Sequence, residues 1–128
     1  MKKYKFNLII YLAFIVTFCS CYKEEIFIEP DACFTASATT VNAKEAVIFE
    51  FCGDGEFIVL YGGDERHIYN DPESKGKIVS NEKPTTYLYS DPGTYTAVCV
   101  ATSYGDFGEE KKQDIQEIVI TVGPEVSD

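Results

Sequence analysis

From Ala46 to Cys52 the chain alternates, placing Val47, Phe49 and Phe51 on one face at the two-residue period of a β-strand. Phe57-Ile58-Val59-Leu60-Tyr61 is a continuous apolar run of strand length, with glycine-rich segments before it and Gly62-Gly63-Asp64 after it. Thr85 to Tyr89 and Thr94 to Ala101 are rich in β-branched and aromatic residues, as strands prefer. Ile115 to Val122 closes the pattern, with Ile118, Ile120 and Val122 on one face. Asp71-Pro72, Asp91-Pro92-Gly93 and Gly105-Asp106 supply turn chemistry between these runs. Helical periodicity is absent after residue 20. The spacing predicts an all-β fold, an antiparallel β-sandwich of about seven strands over residues 32–123, with a short tail at 124–128.

The start of the chain has a different pattern. Lys2, Lys3 and Lys5 precede an unbroken apolar run of 11 residues, Leu8 to Phe18. That length suits the ~7–15 residues of a signal-peptide core and falls short of the ~20 needed to cross a bilayer. Phe18-Cys19-Ser20-Cys21 then resembles the lipobox of bacterial lipoproteins, with Ser20 at the small-residue position. The resemblance implies a signal over 1–20 and a diacylglycerol thioether on Cys21. Phe18 departs from the usual Leu, and lipidation of Cys19 instead would put Phe18 where a small residue belongs. A retained N-terminal membrane anchor is the alternative. Residues 21–31 are charged and end near Pro30, and read as a tether. Lys23-Glu24-Glu25 resembles the surface-export signal of Bacteroidota lipoproteins, which implies an outer-membrane protein facing outward and held to the membrane by its lipid.

Charge narrows the partners. Three of the 11 basic residues lie in the signal and none of the 21 acidic ones does, so eight bases face 21 acids after cleavage, a net of −13. Such a surface repels nucleic acid phosphates, whose binding needs clustered Lys and Arg. It repels anionic lipid headgroups equally. Neutral ligands and divalent cations remain compatible with it, as does an acidic surface that is merely solvated.

The stretch Tyr89-Ser90-Asp91-Pro92-Gly93-Thr94-Tyr95-Thr96-Ala97-Val98-Cys99-Val100-Ala101-Thr102 resembles the late-strand motif of PKD domains, which are immunoglobulin-like sandwiches. In that motif a Pro-Gly-Thr-Tyr turn leads into an alternating strand. The Tyr packs at the strand entrance, and its hydroxyl bonds nearby backbone as in a tyrosine corner. Phe34-Thr35-Ala36 and Val47-Ile48-Phe49 fall where the first PKD strands would be, so the likeness covers about 32–122. It departs at the middle strand, where PKD domains carry a Trp and this chain reads Tyr61-Gly62-Gly63-Asp64-Glu65. The segment from Phe51 to Tyr69 also looks like a PKD-like module of lipoproteins from outer-membrane glycan-uptake systems. These resemblances imply a non-catalytic role in adhesion, spacing or ligand display, or a glycan-binding module, with a polysaccharide or an envelope protein as partner.

Candidate chemistry is sparse. The single histidine, His67, lies in a polar segment with no nucleophile elbow or zinc spacing around it, and reads as a surface residue. A small secreted enzyme would need a concave site there. Asp54, Glu56, Asp64 and Glu65 flank one strand on glycine-rich turns and are the candidate calcium ligands, against the reading that they are solvated turn acids. No cofactor is otherwise implied. Tyr61, Tyr69, Tyr87, Tyr89 and Tyr104 form the pool for stacking on sugar rings; Tyr69 and Tyr104 stand first because they lie in turn-rich segments. Core is the competing reading for each of the five.

Three cysteines remain beyond the signal, and an oxidising compartment favours one pair. Immunoglobulin domains bridge their second and sixth strands, which would pair Cys52 with Cys99. Facing argues for another pair. With Val47, Phe49 and Phe51 inward, Cys52 points out; with Phe34 and Ala36 inward, so does Cys33. Antiparallel neighbours with Phe34 opposite Phe51 bring Cys33 opposite Cys52, within disulfide reach. Cys99 shares the inward face with Tyr95 and Ala97, as a buried thiol.

Overall fold

The computed structural model describes residues 26–127, so the signal 1–20, Cys21 and Lys23-Glu24-Glu25 lie outside the described residues. The strands are β1 (Phe34–Ala36), β2 (Thr40–Asn42), β3 (Ala46–Phe51), β4 (Phe57–Tyr61), β5 (Lys77–Val79), β6 (Thr85–Leu88), β7 (Gly93–Gly105) and β8 (Glu110–Gly123). They build two sheets, one ordered β1-β3-β6 and the other β2-β8-β7-β4-β5. The fold is an all-β sandwich.

The core follows from the alternation. Val47 and Phe49 of β3 are fully buried, with Phe51 beside them. They face Ile58 and Leu60 of β4, and Ala97, Cys99 and Ala101 of β7. One sheet thus contributes rings and the central strand of the other contributes small side chains, a complementary way to fill a thin core. Phe34 lies 5.9 Å from Phe49 and stacks on Phe51 at 6.2 Å. Each such side chain taken out of water contributes about 1.5–3 kcal/mol.

β1 pairs antiparallel with β3, Phe34 opposite Phe51. In that register Cys33 and Cys52 are disulfide-bonded with Cα atoms 5.0 Å apart, and the Cys52 N–H donates to the Cys33 carbonyl at 2.9 Å. Cys99 is a free, buried thiol. Tyr95 makes the corner at the entrance to β7, its hydroxyl donating to the Asp91 carbonyl at 2.7 Å.

Three features differ from the sequence expectation. The five-stranded sheet is mixed, because β2 runs parallel to β8, with Val41 opposite Val122. After β1 the chain bends at Ser37, whose hydroxyl accepts from the Ile48 N–H at 2.9 Å, and crosses to the other sheet as β2. The second feature is the β7–β8 hairpin, paired continuously from Gly93↔Val122 to Gly105↔Glu110. Tyr104 therefore sits in a strand rather than a turn. The added part of β8, Glu110-Lys111-Lys112-Gln113-Asp114, is polar, and so carried no strand signal. Third, part of the segment expected as tether is docked. The Phe27 ring lies under Lys112 Nζ at 4.7 Å, Glu29 pairs with Lys112 at 3.6 Å, and Asp31 exchanges backbone hydrogen bonds with Asp54 at 2.9 and 3.0 Å.

Candidate functional site

Ile58 and Leu60 of β4 point into the core, so Phe57, Val59 and Tyr61 occupy its outer face. The neighbouring strands continue that face in register. Ile78 of β5 lies opposite Val59, Val59 opposite Val100 of β7, and Val100 opposite Ile115 of β8. An apolar row therefore crosses four strands on the side away from the other sheet. Ile78 is 73% exposed and Phe57 49%. A sandwich needs one apolar face per sheet; these strands carry two.

Aromatic rings mark both ends of β4 on this face. Phe57 packs edge to face on Tyr104 at 6.2 Å, and Tyr61 does the same with Tyr69 at 5.4 Å. Tyr104 comes from β7, whereas Tyr69 comes from the 62–76 loop, which folds back over the sheet. Gly63 makes that return possible. Its φ of 87° belongs to the left-handed region, and a Cβ there would strike the main chain of Thr96. The Gly63 N–H donates to the His67 carbonyl at 2.9 Å, closing a tight turn. Farther along, the Ser74 hydroxyl accepts from the Ile68 N–H at 3.0 Å and donates to Asp71 at 3.0 Å. The loop is thus hydrogen-bonded to itself on both sides of Tyr69.

Between this loop and the sheet lies a cleft of about 440 Å³, a size typical of small-molecule sites. Tyr69 forms one wall; Thr94, Thr96 and Val98 of β7 form the floor; Gly63, Ile68, Asn70 and Glu117 complete the lining. Among the described residues no ion pair or hydrogen bond engages the Glu117 carboxylate. The cleft thus offers an apolar ring, an amide that both donates and accepts, hydroxyls, and a carboxylate with open lone pairs. A pyranose presents the matching surfaces: C–H faces that lie against a ring, and an edge of vicinal hydroxyls.

The other sequence candidates separate. Tyr89 is fully buried between Tyr87 at 4.9 Å and Tyr95 at 4.7 Å, and its hydroxyl donates to the Gly62 carbonyl at 2.8 Å. Tyr87 is half-buried on the core side of β6 and donates to Asp64. Burial holds both phenols above their ordinary range. For Tyr87 the hydrogen bond to Asp64 adds to this, and for Tyr89 the Asp64 charge does. These two tyrosines belong to the core and leave the stacking pool. Phe57, which the sequence reading had counted within an undivided apolar run, joins the outer face instead.

The four candidate calcium ligands lie at opposite ends of β4. Asp54 accepts from the Gly55 N–H at 2.8 Å and Glu56 from the Tyr104 N–H at 3.2 Å, while Asp64 takes the Tyr87 hydroxyl at the far end and Glu65 is exposed. Among the described residues no group of three or more Asp, Glu, His or Cys is placed to hold a metal ion. His67 Nδ1 lies 3.1 Å from Asp64, and its ring meets Tyr87 edge to face at 6.2 Å. A separate hollow beside it is lined by Arg66, Glu73 and Lys75, so the surface there is concave. No hydroxyl or thiol belongs to that lining, and the nearby Ser74 hydroxyl is engaged with Asp71.

No protein-family model and no curated protein matches the sequence. Among solved structures, the fold is similar to one described as the structural basis for the promiscuous specificity of carbohydrate-binding modules from the beta-sandwich superfamily. The TM-score is 0.56 and the identity 23%, over 77% of this chain and 36% of that one. This chain thus corresponds to about a third of the other protein. The likeness agrees with the class already drawn from the sheets, a two-sheet β-sandwich.

Proposed function

We propose that this chain is a non-catalytic carbohydrate-binding module of the bacterial cell envelope, a PKD-like sandwich carried by a lipid on Cys21. One observation carries the binding reading: the Tyr69 cleft, where an aromatic wall, Asn70, threonine hydroxyls and the unengaged Glu117 carboxylate converge on the outer sheet face. The similar solved structure, a β-sandwich studied for carbohydrate-binding modules, supports the same reading. The Pro-Gly-Thr-Tyr turn and the Tyr95 corner support the PKD-like type. The lipobox and Lys23-Glu24-Glu25 support an outer-membrane, outward-facing address.

Two experiments test this. The full chain, purified in detergent, should be retarded in native gels containing a neutral polysaccharide, and Tyr69→Ala should weaken the retardation. If no neutral polymer retards the wild type, the spacer or adhesion role stands in its place. Labelled palmitate should enter the wild-type chain and not Cys21→Ser; label persisting in that variant points to Cys19 or a retained helix.

A further inference from the structure

We infer that the outer face binds an uncharged polysaccharide along its length, with Phe57 and Tyr104 forming a second subsite for the same chain that occupies the Tyr69 cleft. The inference rests on the carbohydrate reading above and adds the charge and the extent of the ligand. Phe57 and Tyr61 stand on the same face of β4, four positions apart, which at about 3.3 Å per residue separates the two aromatic pairs by ~13 Å. That is the span of a short oligosaccharide and exceeds a single sugar ring.

Between the two pairs lie Val59, half-buried, and opposite it Val100, which is buried, so the strand surface between them is apolar. The pairing also orients the path. Phe57 lies opposite Thr102, whose buried hydroxyl accepts from Gln113 Nε2 at 3.0 Å, and Tyr61 opposite Val98, so the exposed hydroxyl of β7 beside this line is that of Thr96. A chain laid along β4 would rest its C–H faces on the rings and turn its hydroxyls toward β7.

Charge selects the polymer. The protein carries a formal net charge of −10. On the strands of this face, the charged outward side chains are Glu117, opposite Val98, and Lys111, opposite Tyr104. The strands of this face therefore carry little charge within an acidic surface. A polyuronate or sulfated chain would be repelled by the surroundings and would meet the Glu117 carboxylate in the cleft, whereas a neutral chain meets neither cost.

The test uses the full chain in detergent. Native gels containing xylan, galactomannan, laminarin or pullulan are compared with gels containing polygalacturonate or alginate. For a neutral polymer that retards the protein, its own oligosaccharides from disaccharide to octasaccharide are titrated calorimetrically. Affinity should rise by about tenfold or more along the series, because the second contact is intramolecular once the first has formed. Phe57→Ala should abolish this rise; its side chain is half exposed and outside the core, and a retained melting temperature checks the fold. Tyr69→Ala should weaken every length. Affinity independent of length, or equal loss at all lengths in Phe57→Ala, overturns the inference and leaves a single-site carbohydrate module. Retardation by the anionic polymers alone overturns it through the charge argument. Retardation by none removes the carbohydrate reading itself, and the inference with it.

Discussion

Replacing Tyr89 by Phe isolates one buried hydroxyl. The ring stays, so its contacts with Tyr87 and Tyr95 at 4.9 and 4.7 Å stay too, and no cavity of consequence opens. What is lost is the donor 2.8 Å from the Gly62 carbonyl, in a fully buried setting where water cannot replace it. Leaving a buried acceptor unmatched costs about 1–3 kcal/mol. For a domain of this size a loss near 2 kcal/mol lowers the melting temperature by roughly 8–16 °C. Tyr95→Phe is the internal control. It removes a hydrogen bond of similar length, 2.7 Å to the Asp91 carbonyl, in an exposed turn where water takes the donor's place. Its cost should be about 0.5 kcal/mol, at the low end for a hydrogen bond. Urea titration reads both variants, with the midpoint shifting and the slope unchanged. Because Gly62 adjoins the Gly63 crossing that returns the loop to the sheet, Tyr89→Phe should also weaken ligand binding at Tyr69. Equal destabilisation by the two substitutions would refute the claim that burial sets the cost.

Reducing the disulfide, or replacing Cys33 and Cys52 together by Ser, should cost on the order of 3 kcal/mol, from a sequence separation of 19; urea midpoints with and without reductant measure it. Burial, helped by the Asp114 and Asp31 carboxylates, pushes the Cys99 thiol from 9.0 to about 12, so it should resist thiol reagents until the protein unfolds. The sign for stability follows. Below pH 9 both states hold the proton and the contribution is whole. Between about pH 9 and 12 only the unfolded chain releases the proton, so stability should fall as pH rises, less steeply in Cys99→Ala, as pH-dependent melts would show. Gly63→Ala should both destabilise the fold and weaken binding, because a side chain there meets the Thr96 main chain and a left-handed φ; unchanged binding would detach the loop crossing from the site.

In β7 and β8 the outer frame also carries Val98, Val100, Ile115 and Val119, but β3 has one strongly apolar frame, Val47, Phe49 and Phe51, and its inward face was legible for that reason. The same frame set the facing of Cys33 and Cys52, and so their partnership. β4 shows where that logic stops. In Phe57-Ile58-Val59-Leu60-Tyr61 both alternation frames are apolar, and only the register with β7 settles which frame faces out. The outer face was hidden for that reason, and Phe57 with it. Tyr69 was named from its place in a turn-rich segment, but its position against Tyr61 depends on positive φ at Gly63, Arg66 and Asn70, and arginine gives no signal for that conformation. Strands as short as β2 and β5, three residues each, are too brief to show a period. The charged half of β8 is held by pairing with β7 rather than by burial.

The disulfide also has a mechanical meaning. Under the anchoring proposed here, tension between a surface polymer and the membrane enters the domain through the segment before Ala32. Past the short docked stretch at Phe27, Glu29 and Asp31, the first strand it meets, β1, has only three residues and edges its sheet, so on its own it would peel away one hydrogen bond at a time. Cys33 stands directly before β1 and is bonded to Cys52, just beyond the end of β3. A pull on the N-terminus therefore bypasses β1 and loads β3, a strand paired on both sides with Val47 and Phe49 fully buried. The covalent link acts as a strain relief at the point where the cord enters the body.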